Sequence, residues 1–412
     1  MNSPDAPITR ASRGSAPSPL TANPARAPRL PTELARGFTR VAPSAIREIA
    51  NAAALRPEVI RLEVGDPDFR TPDHIARAGV DAILEGDTRY TATQGRESLR
   101  RAIAEKVERV NGYRPAIDEI VCSTGGTAAL TAGMAVVLED GDDILVPDPC
   151  WPNYQLIATL LGLRPIRYEC ARSDGYVPDA RAVERLVTAR TRAILINSPN
   201  NPSGAVFPDD AMRALVEMAV ARGLWILSDE SYDEIVFGAP SISPATLVND
   251  GRVLSFYTFS KTYSMTGWRL GYAVAPKSVA LGMIKALQGM TASPSSIAQR
   301  AGEAALLGNQ DCVQATVVGY EARRDQVVRT LRDAGLLTIV PMGTMFILAD
   351  ISPSRMGSVE FARRLLLEQA VAVAPGVAFG AASEGTVRIA LTAHDDAIVE
   401  GVRRLVNFVN SV

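Results

Sequence analysis

From residue 119 onward, short apolar segments alternate with segments of helical periodicity, and this alternation constrains the fold more than any other sequence feature. It is typical of a mostly parallel β-sheet covered by helices. The apolar segments contain too few polar residues for a half-exposed sheet, so we expect strands that are buried on both faces. The predicted strands are 119–123, 143–147, 192–198, 224–230, 252–260 and 269–275, with helices after the first strand and near 208–222.

After about residue 293 the pattern changes to that of a smaller α+β domain. A long helical stretch precedes three further apolar strands at 344–351, 371–376 and 385–391, and a helix near 42–54 is expected to pack with them. We therefore predict a large α/β domain inside a discontinuous small domain. Residues 1–31, rich in Pro, Ala, Ser and Arg, cannot bury enough apolar surface to order themselves. The predicted division is a disordered extension at 1–31, the small domain at 32–60 and 294–412, and the large domain at 61–293.

Charge and cysteine content argue against several classes of protein. The formal net charge of the 412-residue chain is −2, which favours neither a nucleic-acid partner nor an anionic membrane surface. The four cysteines form no C-x-x-C pair and there are two histidines, so neither a disulfide framework nor a metal site is expected. No apolar run is long enough to cross a bilayer. We expect a protein of a reducing compartment, the cytoplasm.

Polar segments follow four of the predicted strands. Ligands of open parallel sheets bind beyond the carboxyl ends of the strands, so we expect these segments to form one site. In the first segment, a Gly-Gly-Thr turn before a helix offers free backbone N–H groups to an anion such as phosphate. The segments are "STGGTAAL" (123–130), "NSPNNPSG" (197–204), "SDESYDE" (228–234) and "SFYTFSKTYSMTGWRLGY" (255–272).

Lys261 is the candidate nucleophile of this site. A lysine amine that is fixed and shielded at a strand end can form a Schiff base with an aldehyde cofactor. Pyridoxal phosphate needs such a lysine, an acid at its ring nitrogen and a cup for its phosphate. Asp229 and Arg269 supply an acid and a cation in neighbouring segments. Each feature alone also fits a surface lysine, a loop-capping acid or an ordinary turn, whereas together they favour this cofactor.

The order of the motifs resembles that of the class I, fold-type I pyridoxal-phosphate-dependent aminotransferases, from about residue 35 to the end of the chain. The resemblance implies a large domain with a mostly parallel seven-stranded sheet flanked by helices, and a small α+β domain. It implies ping-pong transfer of an amino group from an L-amino acid to a 2-oxo acid through a Lys261 Schiff base, in a homodimer with shared active sites. The motifs are "LEVGDPDF", "RYTATQG", "STGGTAAL", "PDPCWPNY", "SPNNPSG", "SDESYDE", "SKTYSMTGWRLGY" and "TVRIAL".

The resemblance also implies a role for each matching residue. Lys261 would hold the cofactor and shuttle a proton, and Asp229 would pair with the protonated ring nitrogen. Tyr232 would hydrogen-bond to the 3′ oxygen, and Arg388 would bind the substrate α-carboxylate with two hydrogen bonds. The other implied cofactor contacts are Gly125, Gly126, Thr127, Thr258, Ser260 and Arg269 at the phosphate, Trp151 at the ring face, Asn201 at the 3′ oxygen and Tyr90 at the phosphate of the neighbouring subunit. The other implied substrate contacts are Gly65, Trp151 and Asn201.

Two other functions remain open on sequence grounds, because a fold does not fix a reaction. One is a pyridoxal-phosphate-dependent C–S β-lyase that acts on cystathionine-like substrates and releases ammonia and pyruvate. The other is a non-enzymatic sensor fused to a DNA-binding module, for which residues 1–31 are too short and too rich in proline. Thr127 stands where some relatives that accept acidic side chains have a lysine. We therefore expect a neutral amino donor, with pyruvate or 2-oxoglutarate as acceptor.

Overall fold

The computed structural model describes residues 44–238 and 241–412, and two β-sheets organise this part of the chain. The larger sheet has seven strands in the order β2-β8-β7-β6-β5-β3-β4, and the smaller has four in the order β1-β10-β11-β9. The predicted disordered extension at residues 1–31 lies outside the described residues.

The larger sheet confirms the prediction of a mostly parallel, seven-stranded sheet. Its β8 runs antiparallel to both neighbours, β2 and β7, and all other pairs of neighbouring strands are parallel. The sequence analysis found six of the strands and missed β4. Because β4 lies at the sheet edge, it carries exposed charged residues and lacks a buried apolar pattern. The strands are β2 (Ile120–Ser123), β3 (Asp143–Asp148), β4 (Arg164–Glu169), β5 (Thr191–Asn197), β6 (Trp225–Asp229), β7 (Val253–Thr258) and β8 (Gly271–Val274).

Helices cover both faces of this sheet, as the apolar strands predict. In β5, Leu195 packs in a core with helices α4, α5 and α8, whereas Ile194 and Ile196 pack in a second core with α6 and α7. This alternation follows from the two-residue period of a strand. A third core joins the β2 end of the sheet to α2, α3 and α9. The helices are α2 (Asp73–Leu84), α3 (Glu97–Asn111), α4 (Gly126–Val137), α5 (Asn153–Leu160), α6 (Ala180–Glu184), α7 (Asp209–Ala221), α8 (Lys277–Thr291) and α9 (Ser296–Leu307).

The smaller sheet contains the three late strands that the sequence predicts and one that it does not. The added strand, β1 (Ile60–Leu62), pairs in parallel with β10, and the remaining pairs are antiparallel. The other elements are β9 (Phe346–Asp350), β10 (Val371–Pro375), β11 (Thr386–Ala390), α1 (Ala45–Ala54), α10 (Asp311–Asp333), α11 (Ser358–Gln369) and α12 (Asp395–Ser411). Across the described residues, none of the helices combines the length and the apolarity needed to span a membrane.

Two elements bear on the predicted domain boundaries at 60/61 and 293/294, which stay predictions. Strand β1 lies across the first boundary and pairs within the smaller sheet. Helix α9 follows the second boundary, yet its Ala301 and Ala305 share a core with Leu99 and Ile103 of α3. Packing therefore groups α9 with the larger sheet, because its apolar face is buried there.

Candidate active site

A cavity of about 560 Å³ lies at the carboxyl ends of the parallel strands of the larger sheet, and β11 of the smaller sheet closes it through Arg388. The four predicted site segments meet in its wall because they follow β2, β5, β6 and β7, and Trp151 joins them after β3. Two predicted residues do not line it. Gly125 is buried beside Gly126 but is not part of the wall, and Tyr90 is on the surface with 91% of its area exposed. The predicted residues that line the cavity are Gly65, Gly126, Thr127, Trp151, Asn201, Asp229, Tyr232, Thr258, Ser260, Lys261, Arg269 and Arg388.

Lys261 stands three residues after β7, with its amine inside the cavity. Its Nζ donates a 2.7 Å hydrogen bond to the main-chain oxygen of Gly65. Burial lowers the pKa of the Lys261 amine to about 8; Asp66 opposes this shift, and Arg388 and Arg269 add to it. A substantial fraction of the amine is therefore neutral, and nucleophilic, near physiological pH.

Asp229 ends β6 and presents a buried carboxylate to the cavity. Its Oδ2 accepts a 2.6 Å hydrogen bond from the Tyr154 hydroxyl, and its Oδ1 accepts hydrogen bonds from the Ser231 amide (3.0 Å) and hydroxyl (2.6 Å). Burial raises the pKa of Asp229, and these hydrogen bonds oppose the shift. Within the described residues, Asp229 makes no ion pair, so it is available to a cationic donor inside the cavity.

An anion cup forms where α4 begins. The first N–H groups of that helix, at Gly126 and Thr127, have no acceptor one turn earlier. Gly125 before them has φ = 92° and leaves no room for a side chain, because a Cβ there would collide with the guanidinium of Arg269. Arg269 itself has φ = 53°, a left-handed conformation that is unfavourable for its residue type. The Ser260 amide donates to Thr258 Oγ1 over 3.1 Å, which places both hydroxyl residues at the same cup.

Arg388 is a buried cation held between two aromatic rings. Its guanidinium carbon lies 4.1 Å from the ring centre of Phe346 and 4.7 Å from that of Phe379. Its Nη1 donates to Asn201 Oδ1 over 3.0 Å and its Nη2 to the main-chain oxygen of Glu63 over 2.6 Å. Burial lowers the pKa of Arg388 to about 10. Its Nε has no partner among the described residues, so this guanidinium retains capacity for an anion.

Two aromatic side chains shape the remaining walls. The indole of Trp151 packs edge-on against Tyr154, with ring centres 5.5 Å apart. Tyr232 packs edge-on against Phe346 over 5.9 Å, and burial raises the pKa of its hydroxyl. The nearby Asn201 side chain opposes that shift in the pKa of Tyr232, and both residues line the cavity.

Sequence reasoning assigned no role to Tyr154 and Ser231, the two residues that orient Asp229. Both stand inside motifs that the sequence analysis singled out: Tyr154 ends "PDPCWPNY" and Ser231 lies in "SDESYDE". The signal for Ser231 is its spacing, because a hydroxyl two residues after an aspartate can bond back to the carboxylate. Tyr154 comes from another strand end, and no local pattern links it to Asp229.

These features together fit an aldehyde cofactor with a phosphate and a protonatable ring nitrogen. The cup of helix N–H groups and Arg269 suits the phosphate, and the buried carboxylate of Asp229 lacks the cation that such a ring nitrogen would supply. Lys261 offers an amine of lowered pKa in the same cavity. No other group is needed to complete the set that pyridoxal phosphate requires.

The chain matches the family described as "Aminotransferase class I and II" over residues 57–405. It is 35% identical to the aspartate/prephenate aminotransferase of Thermus thermophilus, over 90% of this chain and 97% of that protein. It is 36% identical to the arginine–pyruvate transaminase of Pseudomonas aeruginosa, over 84% of this chain and 89% of that protein. Among solved structures, the aspartate aminotransferase of Thermus thermophilus with maleate superposes with a TM-score of 0.87 at 34% identity, over 91% of this chain and 99% of the other.

Proposed function

Because the chain belongs to the aminotransferase class I and II family and is a pyridoxal-phosphate-dependent transaminase, we propose that its reaction depends on Lys261, Asp229 and Arg388. The enzyme moves an amino group from an L-amino acid to a 2-oxo acid by a ping-pong mechanism. The C–S β-lyase alternative is not favoured, because the similar proteins are named aminotransferases and transaminases.

The first part of the proposal concerns how the cofactor is held. When bound, pyridoxal phosphate supplies an electron sink and a carrier for the amino group. We expect the helix N–H groups, Thr258, Ser260 and Arg269 to bind the phosphate, and Trp151 to cover one ring face. Asp229 would accept a hydrogen bond from the ring nitrogen and keep it protonated, since the buried carboxylate needs a cation.

The second part concerns the proton. We propose that Lys261 Nζ takes a proton from the substrate Cα and returns it; its lowered pKa, which leaves the amine partly neutral near pH 8, supports this role. The carbonyl oxygen of Gly65 orients the amine toward the cavity. Tyr232 and Asn201 add a hydroxyl and an amide to the cavity wall, where they would bind the 3′ oxygen.

The third part concerns the substrate carboxylate. Arg388 lies between two aromatic rings that fix the plane of its guanidinium. A planar fork of N–H groups matches a carboxylate with two parallel hydrogen bonds. Because Arg388 comes from β11 of the smaller sheet and Lys261 follows β7 of the larger sheet, a substrate held by both would lie across the two sheets and displace water between them.

We further propose a neutral amino donor with pyruvate or 2-oxoglutarate as acceptor. Thr127 stands in the cavity wall at the start of α4 and offers no charge to an acidic side chain. The similar proteins are named for differing substrates, among them aspartate, prephenate and arginine, so the family name alone does not choose a donor.

Single amino acids added without a 2-oxo acid test this proposal. The absorbance band of the bound cofactor should disappear with the true donor and return when the 2-oxo acid is added. A neutral amino acid should be the most efficient donor. If the protein instead releases ammonia and pyruvate with no restorable change in absorbance, the lyase is the correct assignment.

A homodimer with shared sites completes the proposal. The large aromatic side chain of Tyr90 is exposed to solvent and lies outside the cavity of its own chain. Such a side chain suits a residue that reaches the phosphate of a partner subunit. Sedimentation should give twice the chain mass, and Tyr90→Phe should weaken cofactor binding in the dimer.

We also propose a cytoplasmic location, in keeping with four unpaired cysteines. Cell fractionation tests it.

A further inference from the structure

The short segment that carries Asp229 and Tyr232 has two faces. Asp229, Ser231 and Tyr232 line the active-site cavity. The other three side chains, Glu230, Asp233 and Glu234, do not line the cavity and instead belong to a second, buried polar cluster. We call residues 229–234 the acidic turn. Its rear face contacts α3, and nothing in the proposed reaction uses that contact.

Lys106 of α3 is the cation of this rear cluster. Its side chain is 4% exposed, and its Nζ makes a short ion pair with Asp233 and lies 3.9 Å from Glu234. The same Nζ donates to Asn111 Oδ1 over 3.0 Å, and Asn111 Nδ2 donates in turn to Asp233 over 2.9 Å. Lys106 and Asn111, both in the C-terminal half of α3, therefore bind the rear face of the acidic turn.

Glu230 extends the same network toward the sheet. Its Oε1 accepts a 2.9 Å hydrogen bond from the Ser243 hydroxyl, and its Oε2 accepts a 3.0 Å hydrogen bond from Tyr257. Asn111 reaches the same Oε2 over 3.4 Å, and Lys106 lies 4.9 Å from the ring centre of Tyr257. Glu230 follows Asp229 directly, so its anchors also fix the backbone beside the proposed ring-nitrogen partner.

The cluster is short of positive charge. Lys106 pairs with Asp233 and Glu234, and it is the only cation that makes an ion pair with the acidic turn in the described part of the chain. The charge of Arg109 also favours the ionised form of Glu234, without making an ion pair with it. Burial raises the pKa of Glu230 to about 7, and the Asp233 charge adds to that shift. Burial works against the charged form of Lys106, but the attraction of Asp233 and Glu234 outweighs it and raises the lysine pKa. Removal of this cation would leave the buried carboxylate of Asp233 without an ion-pair partner.

We propose that Lys106 is a positioning residue of the transaminase: it holds the rear of the acidic turn so that Asp229 and Tyr232 stand correctly against the cofactor. The inference rests on the cofactor roles proposed above for those two residues. Without Lys106, the rear carboxylates repel one another and the turn shifts. Cofactor binding should then weaken, although Lys106 touches neither cofactor nor substrate.

The experiment measures the dissociation constant of pyridoxal phosphate from the apo-protein by absorbance titration, in parallel with thermal melting of the apo-protein. Lys106→Met removes the charge at nearly constant length and should raise the dissociation constant about tenfold. Lys106→Met with Asp233→Asn removes one charge of each sign and should restore most of the affinity. Lys277→Met, which breaks an exposed ion pair with Asp118, is the matched control and should change nothing.

Steady-state kinetics distinguish a positioning role of Lys106 from a general loss of folded structure. The shifted turn should lower kcat while KM for the amino donor stays within about twofold, because Arg388 binds the substrate from another sheet. If Lys106→Met does not fold, Asp233→Asn alone should still weaken cofactor binding about threefold. Unchanged affinity in the folded single variants Lys106→Met and Asp233→Asn, or an equal loss in Lys277→Met, overturns the inference.

A parallel Asp229→Asn variant separates failure of this inference from failure of the proposed function. If Asp229→Asn impairs cofactor binding while the Lys106 variants do not, only the inference about Lys106 is wrong. If Asp229→Asn also binds and turns over normally, the proposed role of Asp229 is wrong.

Discussion

The amine of Lys261 hydrogen-bonds to the main-chain oxygen of Gly65 over 2.7 Å, across 196 residues of sequence. Gly65 follows β1 of the smaller sheet, and Lys261 follows β7 of the larger one. The bond therefore joins the two sheets at the atom that we propose to react. Gly65 has no room for a side chain, because a Cβ there would lie within 2.7 Å of a ring carbon of Phe346. The backbone of this loop, rather than a side chain, is what approaches the amine.

The lowered pKa of Lys261 predicts the pH dependence of cofactor incorporation. Only the neutral amine attacks an aldehyde, so the rate should rise with pH through a midpoint near 8 and level off above it. A lysine with an ordinary pKa would show a rate that still rises near pH 10. Stopped-flow absorbance of the apo-protein mixed with pyridoxal phosphate gives the midpoint. A midpoint near 10 would contradict the environment described for this amine.

Replacement of Asp229 with Asn should reduce kcat by about 10²- to 10³-fold, the usual cost of losing one oriented electrostatic group. The amide keeps the shape of the side chain but cannot hold a ring nitrogen protonated. Steady-state kinetics with saturating cofactor measure the effect. Asp118→Asn, at an exposed ion pair, serves as the control and should retain full activity. Equal activities in the two variants would remove Asp229 from the mechanism.

Arg388→Lys should raise KM for the amino donor by about 10- to 100-fold, because a lysine makes one point contact where the guanidinium makes two hydrogen bonds. The variant also loses the stacking on Phe346 and Phe379. Cofactor affinity should stay nearly constant, since Arg388 is proposed to bind substrate only. The exposed Arg213, replaced in the same way, is the control. A larger loss in cofactor affinity than in KM would point to a different role.

Thr127→Lys should shift the donor preference toward acidic amino acids. The new ammonium would enter the cavity wall at the start of α4, where it could pair with a side-chain carboxylate. One charged hydrogen bond corresponds to a gain of about tenfold in kcat/KM for aspartate relative to leucine. Competition between the two donors measures this ratio directly. No change in the ratio, or a fall, would show that the substrate side chain does not reach residue 127.

Much of the fold and of the cavity could be predicted because the signals are local. A buried strand such as β5 has a continuous apolar run, and the polar residues after β6 and β7 fall at the same sheet edge by topology alone. Strand β4 was missed because an edge strand has no such run. Other contacts join side chains that are far apart in sequence. Tyr154 and Asp229 are 75 residues apart, and Lys106 and its partner Asp233 in the acidic turn are 127 residues apart. No periodic pattern encodes contacts of that kind.

The most direct test of the whole account is the absorbance spectrum of the protein with pyridoxal phosphate, compared with that of Lys261→Ala. Lys285→Ala is the matched control, since Lys285 is an exposed lysine on α8. The wild type and the control should show the band of a covalently held cofactor, which a single amino donor removes and a 2-oxo acid restores. Lys261→Ala should lack the band and the activity. An unchanged band and continued turnover in Lys261→Ala would show that Lys261 is not the residue that holds the cofactor.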